Sequence, residues 1–320
     1  MKDIATQLAV VMDQFSNENL VTSLTPLIGE QGTSFLEGVP EAKYKDILGV
    51  RSSWLKGLNR SPAHFLEDLR ADLKGERVTT PAMQFGTLVH DYLLLGPETL
   101  SSRYTPCPDE INLNSKEGRA LKEKAEQNGL PLIRVEAFKR AAECAQTLLA
   151  DPTFNQVFGK SLKEVCVTGF RHTPSGCIKT KARIDLLTKG DFLADLKVVN
   201  NATPESFAYK ILDFGYHTQA AHYLDTFNQA QDLGGNLPEG FNQERSKFLI
   251  TAVESEPPYA FRHYVLSPEY LELGRRTRED ALNLLAHCIC TREFAGYDPG
   301  YTILSPPPRR DPSKYTMLLE

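Results

Sequence analysis

The chain has 320 residues, of which 41% are hydrophobic and 24% are charged, and it is long enough for one large domain or two. Its net charge of −5 excludes a globally basic DNA-binding module, since any contact with nucleic acid would have to come from local patches or bound metal ions. No apolar run approaches the ~20 residues that cross a bilayer, and no secretory segment is apparent. We therefore expect a cytoplasmic protein without membrane contact.

The six cysteines follow no spacing typical of a disulfide framework or a metal site. Cys288 and Cys290 form the only close pair, and no second pair at a suitable spacing accompanies them. This argues against a zinc or iron–sulfur centre built on cysteine pairs. We expect reduced thiols.

Helical patterns dominate the first half of the chain. Residues 1–42 predict a short amphipathic helix, at residues 4–12, followed by an arm or loop. Residues 43–160 predict a helical region, with Ser61 as the N-cap of a helix that begins at Pro62. Its other expected elements are a helix at residues 83–95 with a Gly-Pro stop, a loop or short strand at 100–114, a solvated helix at 116–127 and an amphipathic helix at 135–149. Asp151-Pro152 is expected to end the region of these last two helices.

Strand patterns appear in the second half, where residues 161–300 predict the sheet-containing core. The expected strands lie at residues 162–170, at 184–187 and 192–199 as a hairpin, at 247–253 and at 261–266. Helices are expected from Pro204 with Thr203 as N-cap, at 217–231 after Gly215, and from Ser267-Pro268 to about Arg292, ahead of a proline-rich tail at 301–320. This order predicts an α/β fold with a single sheet at about residues 162–266, preceded by an N-terminal helical region.

The hairpin carries charges on a mostly apolar strand. Because strand side chains alternate, Asp195 and Lys197 share one face with Leu193 and Val199. Burying two charges must be offset by pairing, hydrogen bonding or a metal. Asp185 and Asp195 are hard oxygen ligands suited to Mg²⁺ or Mn²⁺, and a neighbouring lysine can orient a water molecule for phosphodiester hydrolysis. The alternative is a surface ion pair between Asp195 and Lys197.

A histidine on the helix at residues 83–95 is a second candidate. Gly86 and His90 are four residues apart and lie on one helix face, where the glycine allows close approach of another backbone and the histidine could reach a site. The alternative is a hydrogen-bonded histidine at the helix surface.

Several motifs in sequence order resemble the PD-(D/E)XK nuclease superfamily, within the group typified by exodeoxyribonuclease VIII and its phage relatives. The residues that carry the resemblance, with Asp in place of the usual second Glu, are Phe85-Gly-Thr-Leu-Val-His90, Glu164 before a strand, Arg183-Ile-Asp185, Asp195-Leu-Lys197 and Gly215-Tyr-His-Thr-Gln219-Ala-Ala-His-Tyr223, with Ser61-Pro-Ala-His-Phe65 and Val253-Glu-Ser-Glu-Pro-Pro-Tyr259. The resemblance covers roughly residues 45–300. It implies a restriction-endonuclease-like core, with a mixed central sheet flanked by helices.

The resemblance also implies roles for individual residues. The metal ligands would be His90, Glu164, Asp185, Asp195 and the carbonyl of Leu196, and they would hold one or two Mg²⁺ ions, with Mn²⁺ as a substitute. Lys197 would orient or activate the attacking water. Gln219 and Tyr223 would brace the lysine or contact the phosphate backbone, unless they are ordinary helix-packing residues.

The resemblance further implies a metal-dependent exonuclease that degrades duplex DNA from an end, from 5′ to 3′, and leaves 3′ single-stranded tails for recombination. Such enzymes often form homo-oligomeric rings and work beside a single-strand annealing protein. Candidate DNA contacts are Arg183, Arg275, Arg276 and Arg278, although a charged run on a long helix is often only a solvated face. A structure-specific endonuclease or nickase and a catalytically inactive DNA-binding scaffold are the alternatives.

Overall fold

The computed structural model describes residues 15–39, 41–76, 79–234 and 236–303. The helix expected at residues 4–12 and the proline-rich segment from residue 305 lie outside the described residues. Among the described residues, no helix combines the length and apolar character needed to cross a membrane. All six cysteines are free thiols.

Two β-sheets are present in the described part of the chain. Their strands are β1 (Ser34–Leu36), β2 (Thr105–Cys107), β3 (Leu132–Arg134), β4 (Leu162–Thr173), β5 (Gly176–Leu187), β6 (Phe192–Val199), β7 (Lys247–Glu254) and β8 (Phe261–Val265). The main sheet has the order β1-β4-β5-β6-β7-β8, and β2 pairs with β3 separately. In the main sheet only β6 and β7 run parallel, so the predicted mixed central sheet is confirmed.

Helices pack on both faces of the main sheet. They are α1 (Asn17–Leu24), α2 (Glu41–Asp46), α3 (Ser52–Leu58), α4 (Pro62–Lys74), α5 (Pro81–Leu94), α6 (Leu100–Arg103), α7 (Lys116–Asn128), α8 (Val135–Ala150), α9 (Pro152–Gly159), α10 (Pro204–Asp213), α11 (Tyr216–Asp232) and α12 (Pro268–Thr291). Two 3₁₀ turns, Thr25–Leu27 and Pro97–Thr99, join some of them. The predicted α/β fold class is therefore confirmed.

The alternation along β6 determines which helices cover each face of the sheet. Leu193 and Val199 pack into one core cluster with Phe207 of α10 and Phe227 of α11. Leu196 belongs to a different cluster, built from residues of α5 and α8. The even and odd residues of β6 therefore bury against opposite layers, as the period of two predicts.

Local signals at helix ends are confirmed. The Ser61 hydroxyl accepts a hydrogen bond from the backbone N–H of His64 at 3.3 Å, and Pro62 occupies the first helical position of α4. Gly215 adopts φ 71° at the N-cap of α11, a left-handed conformation that favours glycine. Thr203 lies at the N-cap of α10, although its side chain makes no capping hydrogen bond.

The expectation of an arm after the first helix is wrong. Leu20, Val21 and Leu24 of α1 are buried, and β1 extends the main sheet by pairing Phe35 with Val167. The sheet therefore begins before residue 162. These residues lack a long apolar period, and their order depends on contacts with distant segments.

Asp151 ends α8, as expected, and also starts a further helix within residues 43–160. It caps α9, because its Oδ2 accepts a hydrogen bond from the backbone N–H of Phe154 at 2.6 Å while Pro152 opens the helix. A carboxylate followed by proline is a helix start as well as a helix stop.

Arg278, a predicted DNA contact, lies inside the fold. It is only 4% exposed. Its Nη1 donates to Asp225 at 3.3 Å, and its Nε donates to Nδ1 of the buried His222 at 3.3 Å. The prediction that Arg278 contacts DNA is wrong, because a phosphate cannot reach a guanidinium that joins α12 to α11.

We expect Arg278→Ala to lower the free energy of unfolding by about 3 kcal/mol, because it removes a buried cation and the hydrogen bonds that this cation donates to Asp225 and His222. Urea denaturation measures this change. The matched control is Arg276→Ala on the same helix, whose side chain is 73% exposed and paired with Glu272, for which we expect a change below about 0.5 kcal/mol. Equal losses in the two variants would contradict a structural role specific to Arg278.

Candidate active site

The main-chain ladder between β5 and β6 is short, and the candidate site lies where it ends. The two strands pair at Leu187 with Leu193 and at Leu186 with Ala194. Continuing that register would place Asp185 opposite Asp195. The Asp185 Oδ2 instead accepts a hydrogen bond from the Leu196 N–H at 3.0 Å. A side-chain carboxylate thus replaces a main-chain acceptor, and the strands diverge around the acids.

Asp195 is a buried carboxylate with two partners. Its side chain is 1% exposed, and its Oδ2 lies 2.5 Å from Nζ of Lys197, whose side chain is 18% exposed. Its Oδ1 accepts a hydrogen bond from Nε2 of Gln219 at 2.8 Å. This burial rules out an exposed surface ion pair.

The electrostatics of this pair follow from burial and charge. Desolvation raises the pKa of Asp195 to about 7, with Lys197 lowering it and Asp185 raising it. Burial also disfavours the charged form of Lys197, yet the carboxylates of Asp195 and Asp185 outweigh that effect and raise the pKa of the lysine. Lys197 is therefore protonated at neutral pH.

His90 reaches the same point from α5. Its Nε2 lies 2.9 Å from the Leu196 carbonyl oxygen, and its Nδ1 lies 3.7 Å from Asp185 Oδ2. Burial lowers the pKa of His90 despite the opposing charge of Asp185, so the ring is neutral at pH 7. If Nε2–H donates to the carbonyl, Nδ1 directs a lone pair towards a carboxylate oxygen. His90 Nδ1 and Asp185 Oδ2 then both present lone pairs, as the ligand atoms of a cation site do.

Gly86 plays a smaller part than expected. A Cβ built on it would lie 3.7 Å from Cβ of Val198, which is ordinary van der Waals contact. Helix α5 therefore packs on β6 without requiring glycine at this position.

Glu164 lies on β4 directly across from Asp185, between the register pairs Lys163 with Leu186 and Val165 with Ile184. Its φ of 55° is left-handed, which costs a non-glycine residue roughly 1–2 kcal/mol. Backbone strain of this kind is common at functional sites.

The Glu164 carboxylate forms an ion pair with Arg183. The Arg183 guanidinium, a predicted DNA contact, is therefore engaged by an acid of the site. Its side chain is 19% exposed.

Helix α11 supplies Gln219 and Tyr223. Gln219 holds Asp195 rather than the lysine itself. Tyr223 is 9% exposed, and burial raises its pKa well above the ordinary value, with Tyr44, Asp195 and Asp185 adding to the effect and a hydrogen bond with Gln219 opposing it. Both side chains thus support the buried acid from one face of the sheet.

Sequence reasoning missed Tyr216. Lys197 Nζ lies 5.0 Å from the centre of its ring, within cation–π range. The residue is the first of α11 and lies one helical turn before Gln219, which is the signal that could have identified it.

Two further arginines proposed for DNA binding lie on the surface of α12. Arg275 is paired with Asp225 at 3.2 Å and Arg276 with Glu272 at 2.9 Å, with side chains 42% and 73% exposed. Because both arginine side chains are accessible to solvent, the prediction that Arg275 and Arg276 contact DNA stays a prediction.

Comparisons with known proteins agree with this fold. Residues 51–298 match the family model described as a PDDEXK-like domain of unknown function (DUF3799). The chain is similar to a solved structure of a candidate exonuclease from Eubacterium rectale, with 16% identity, coverage of 84% of this chain and 95% of that chain, and a TM-score of 0.54. That likeness supports the fold.

A second solved structure, of the protein SSO0001, has 14% identity, coverage of 62% of this chain and 85% of that chain, and a TM-score of 0.28, which is too low to support a shared fold. No curated protein matches the chain significantly. Because the family model spans most of the chain, the protein belongs to the PDDEXK-like family and has the fold of the PD-(D/E)XK nuclease superfamily.

Proposed function

We propose that the protein is a metal-dependent nuclease that hydrolyses phosphodiester bonds in DNA. The observation that carries this proposal is the convergence of Asp185, Asp195 and Lys197 where β5 and β6 diverge. Two carboxylates and a partly buried ammonium at one point suit a metal-activated water and a charged phosphate. Membership of the PDDEXK-like family supports the same chemistry.

The residues present fit a divalent cation. Asp185 and Asp195 offer hard oxygen atoms, His90 Nδ1 lies 3.7 Å from Asp185 Oδ2, and the Leu196 carbonyl lies 2.9 Å from His90 Nε2. Glu164, across the β4–β5 ladder, is a further ligand. We propose Mg²⁺, with Mn²⁺ as a substitute. When bound, such an ion lowers the pKa of a water molecule and stabilises negative charge on the phosphate.

The chain's own residues have separate tasks. Lys197 orients the attacking water and balances charge on the reacting phosphate. Gln219 is a positioning residue, because its amide fixes one oxygen of Asp195 and leaves the other towards Lys197. Tyr223 supports Gln219, and Tyr216 limits the lysine to one side of the site.

Within this activity, we favour an exonuclease that acts from duplex ends. The likeness in fold to the candidate exonuclease and the order of the motifs support this choice. Degradation from 5′ to 3′, 3′ tails for strand annealing, a homo-oligomeric assembly and an annealing partner follow from the resemblance and belong to the same proposal. Arg275 and Arg276 remain candidate contacts with backbone phosphate.

The decisive experiment uses linear duplex DNA labelled at either the 5′ or the 3′ end, with a closed circular control, in Mg²⁺ and in EDTA. We expect early release of the 5′ label, an intact circle and no reaction in EDTA. Cutting of the circle would identify an endonuclease or nickase instead. Retained DNA binding with no hydrolysis in Mg²⁺ or Mn²⁺ would favour an inactive scaffold.

We expect Lys197→Ala to lower the single-turnover rate constant by about 100-fold to 10,000-fold, because a positioned proton-transfer or water-orienting group contributes about that much. The matched control is Lys247→Ala on the neighbouring strand β7, whose side chain is 58% exposed and paired with Asp191. The control should retain wild-type activity. Single-turnover hydrolysis with excess enzyme measures both, and comparable rates for the two variants would exclude Lys197 from the reaction.

We expect Gln219→Ala to raise the Mg²⁺ concentration needed for half-maximal rate by about tenfold to a hundredfold, because it releases one oxygen of a ligating carboxylate. A metal titration of the initial rate measures this shift. Gln231→Ala, on the same helix and hydrogen-bonded to the Asn242 carbonyl, is the control and should leave the titration unchanged. A fall in rate at every Mg²⁺ concentration with no shift would contradict the positioning role.

A further inference from the structure

A second group of metal-ligating side chains lies at the far end of the β4–β5 hairpin. His172 and Cys177 are directly opposite each other in the antiparallel register. The Cys177 Sγ lies 2.9 Å from His172 Nδ1 and 3.9 Å from Glu30 Oε1. One ligand atom from each residue falls within 4.8 Å of the other two.

The main chain places all three residues. The Gly29 N–H donates to the Cys177 carbonyl at 2.8 Å, and Ile28 forms an antiparallel bridge with Ile178. Glu30 therefore follows a segment that is fixed to β5. The cross-strand register places His172 and Cys177 opposite each other. The main chain therefore brings the residues of the cluster together.

This cluster is separate from the candidate active site. Cys177 precedes Asp185 by eight residues on the same strand, which corresponds to about 26 Å at the usual rise per residue. The chemistry also differs, because a thiolate and an imidazole are softer ligands than the carboxylates that suit Mg²⁺.

We propose that Glu30, His172 and Cys177 bind one zinc-type divalent cation, with a water molecule as the fourth ligand. Sulfur, nitrogen and carboxylate oxygen together are a ligand set that Zn²⁺ accepts. Ordinary zinc–ligand lengths in a tetrahedron place ligand atoms about 3.3–3.6 Å apart. The separations of 2.9 and 3.9 Å lie on either side of this range and the third pair lies within 4.8 Å, so side-chain shifts of up to about 1.5 Å would complete the site.

The consequence of binding is a cross-link within the fold. Glu30 belongs to the segment between the 3₁₀ turn Thr25–Leu27 and β1, whereas the other two ligands belong to the hairpin. The cation would join the N-terminal segment to the end of the two longest strands. Because it binds the folded chain, it should stabilise that state by mass action.

The test uses the full chain, stripped of metal by a chelator, reduced with a phosphine and titrated with Co²⁺. Thiolate ligation produces a charge-transfer absorption in the near ultraviolet that oxygen and nitrogen ligands do not produce. We expect this band to saturate at one ion per chain and to disappear when Zn²⁺ is added. Cys177→Ser should abolish the band, and His172→Ala and Glu30→Gln should weaken Co²⁺ binding by at least about tenfold.

Two control variants make the result specific. Asp185→Asn alters the candidate active site and should keep the band, so the outcome does not depend on the proposed nuclease activity. Cys290→Ser removes an exposed thiol whose Sγ donates to the Ser175 carbonyl at 3.4 Å in the hairpin turn, and it should also keep the band.

Thermal unfolding measures Zn²⁺ binding independently of the Co²⁺ absorption band. Zn²⁺ should raise the Tm of the wild type and of Asp185→Asn, but not that of His172→Ala. The proposal is overturned if the wild type shows no charge-transfer band, if the band survives in Cys177→Ser, or if it is lost in Cys290→Ser.

Discussion

The burial of Asp195 on the central strand is the constraint on which the candidate site depends. Asp195 is 2% exposed, so the negative charge of its carboxylate must be compensated within the protein whenever the group is ionised. Lys197 supplies charge from two positions further along β6, and Gln219 supplies a hydrogen bond from α11. Helix α11 therefore has a fixed position over this face, and the left-handed turn at Gly215 lets it start there.

The same strand also binds the opposite helix layer through its main chain. The Leu196 N–H donates to the Asp185 carboxylate and the Leu196 carbonyl bonds the His90 ring, so neither group pairs with the main chain of β5. A central strand normally uses these groups in the ladder. Their hydrogen bonds to side chains bring α5 and β5 to one point, where the sheet opens between β5 and β6.

Local patterns predicted much of this arrangement, and non-local contacts account for the rest. Alternation along β6 placed Asp195 and Lys197 on one face, and short-range capping rules placed Ser61 at a helix start, because these effects act within a few residues. The burial of Arg278 depends on partners 56 and 53 residues away, and the strand at residues 34–36 depends on partners at least 130 residues away. The pairing of Glu164 with Arg183 likewise needs the folded hairpin.

The charge balance of the site gives a physical reason for a metal ion. With the carboxylates ionised, Glu164, Asp185 and Asp195 contribute −3, and Lys197 and Arg183 contribute +2, a sum of −1 with His90 neutral. A phosphodiester, itself −1, would be repelled by such a centre. A divalent cation changes the sum to +1, and it also favours the ionised form of Asp195, whose pKa burial raises to about 7. This charge balance supports the proposal that a divalent cation accompanies the DNA substrate at the site.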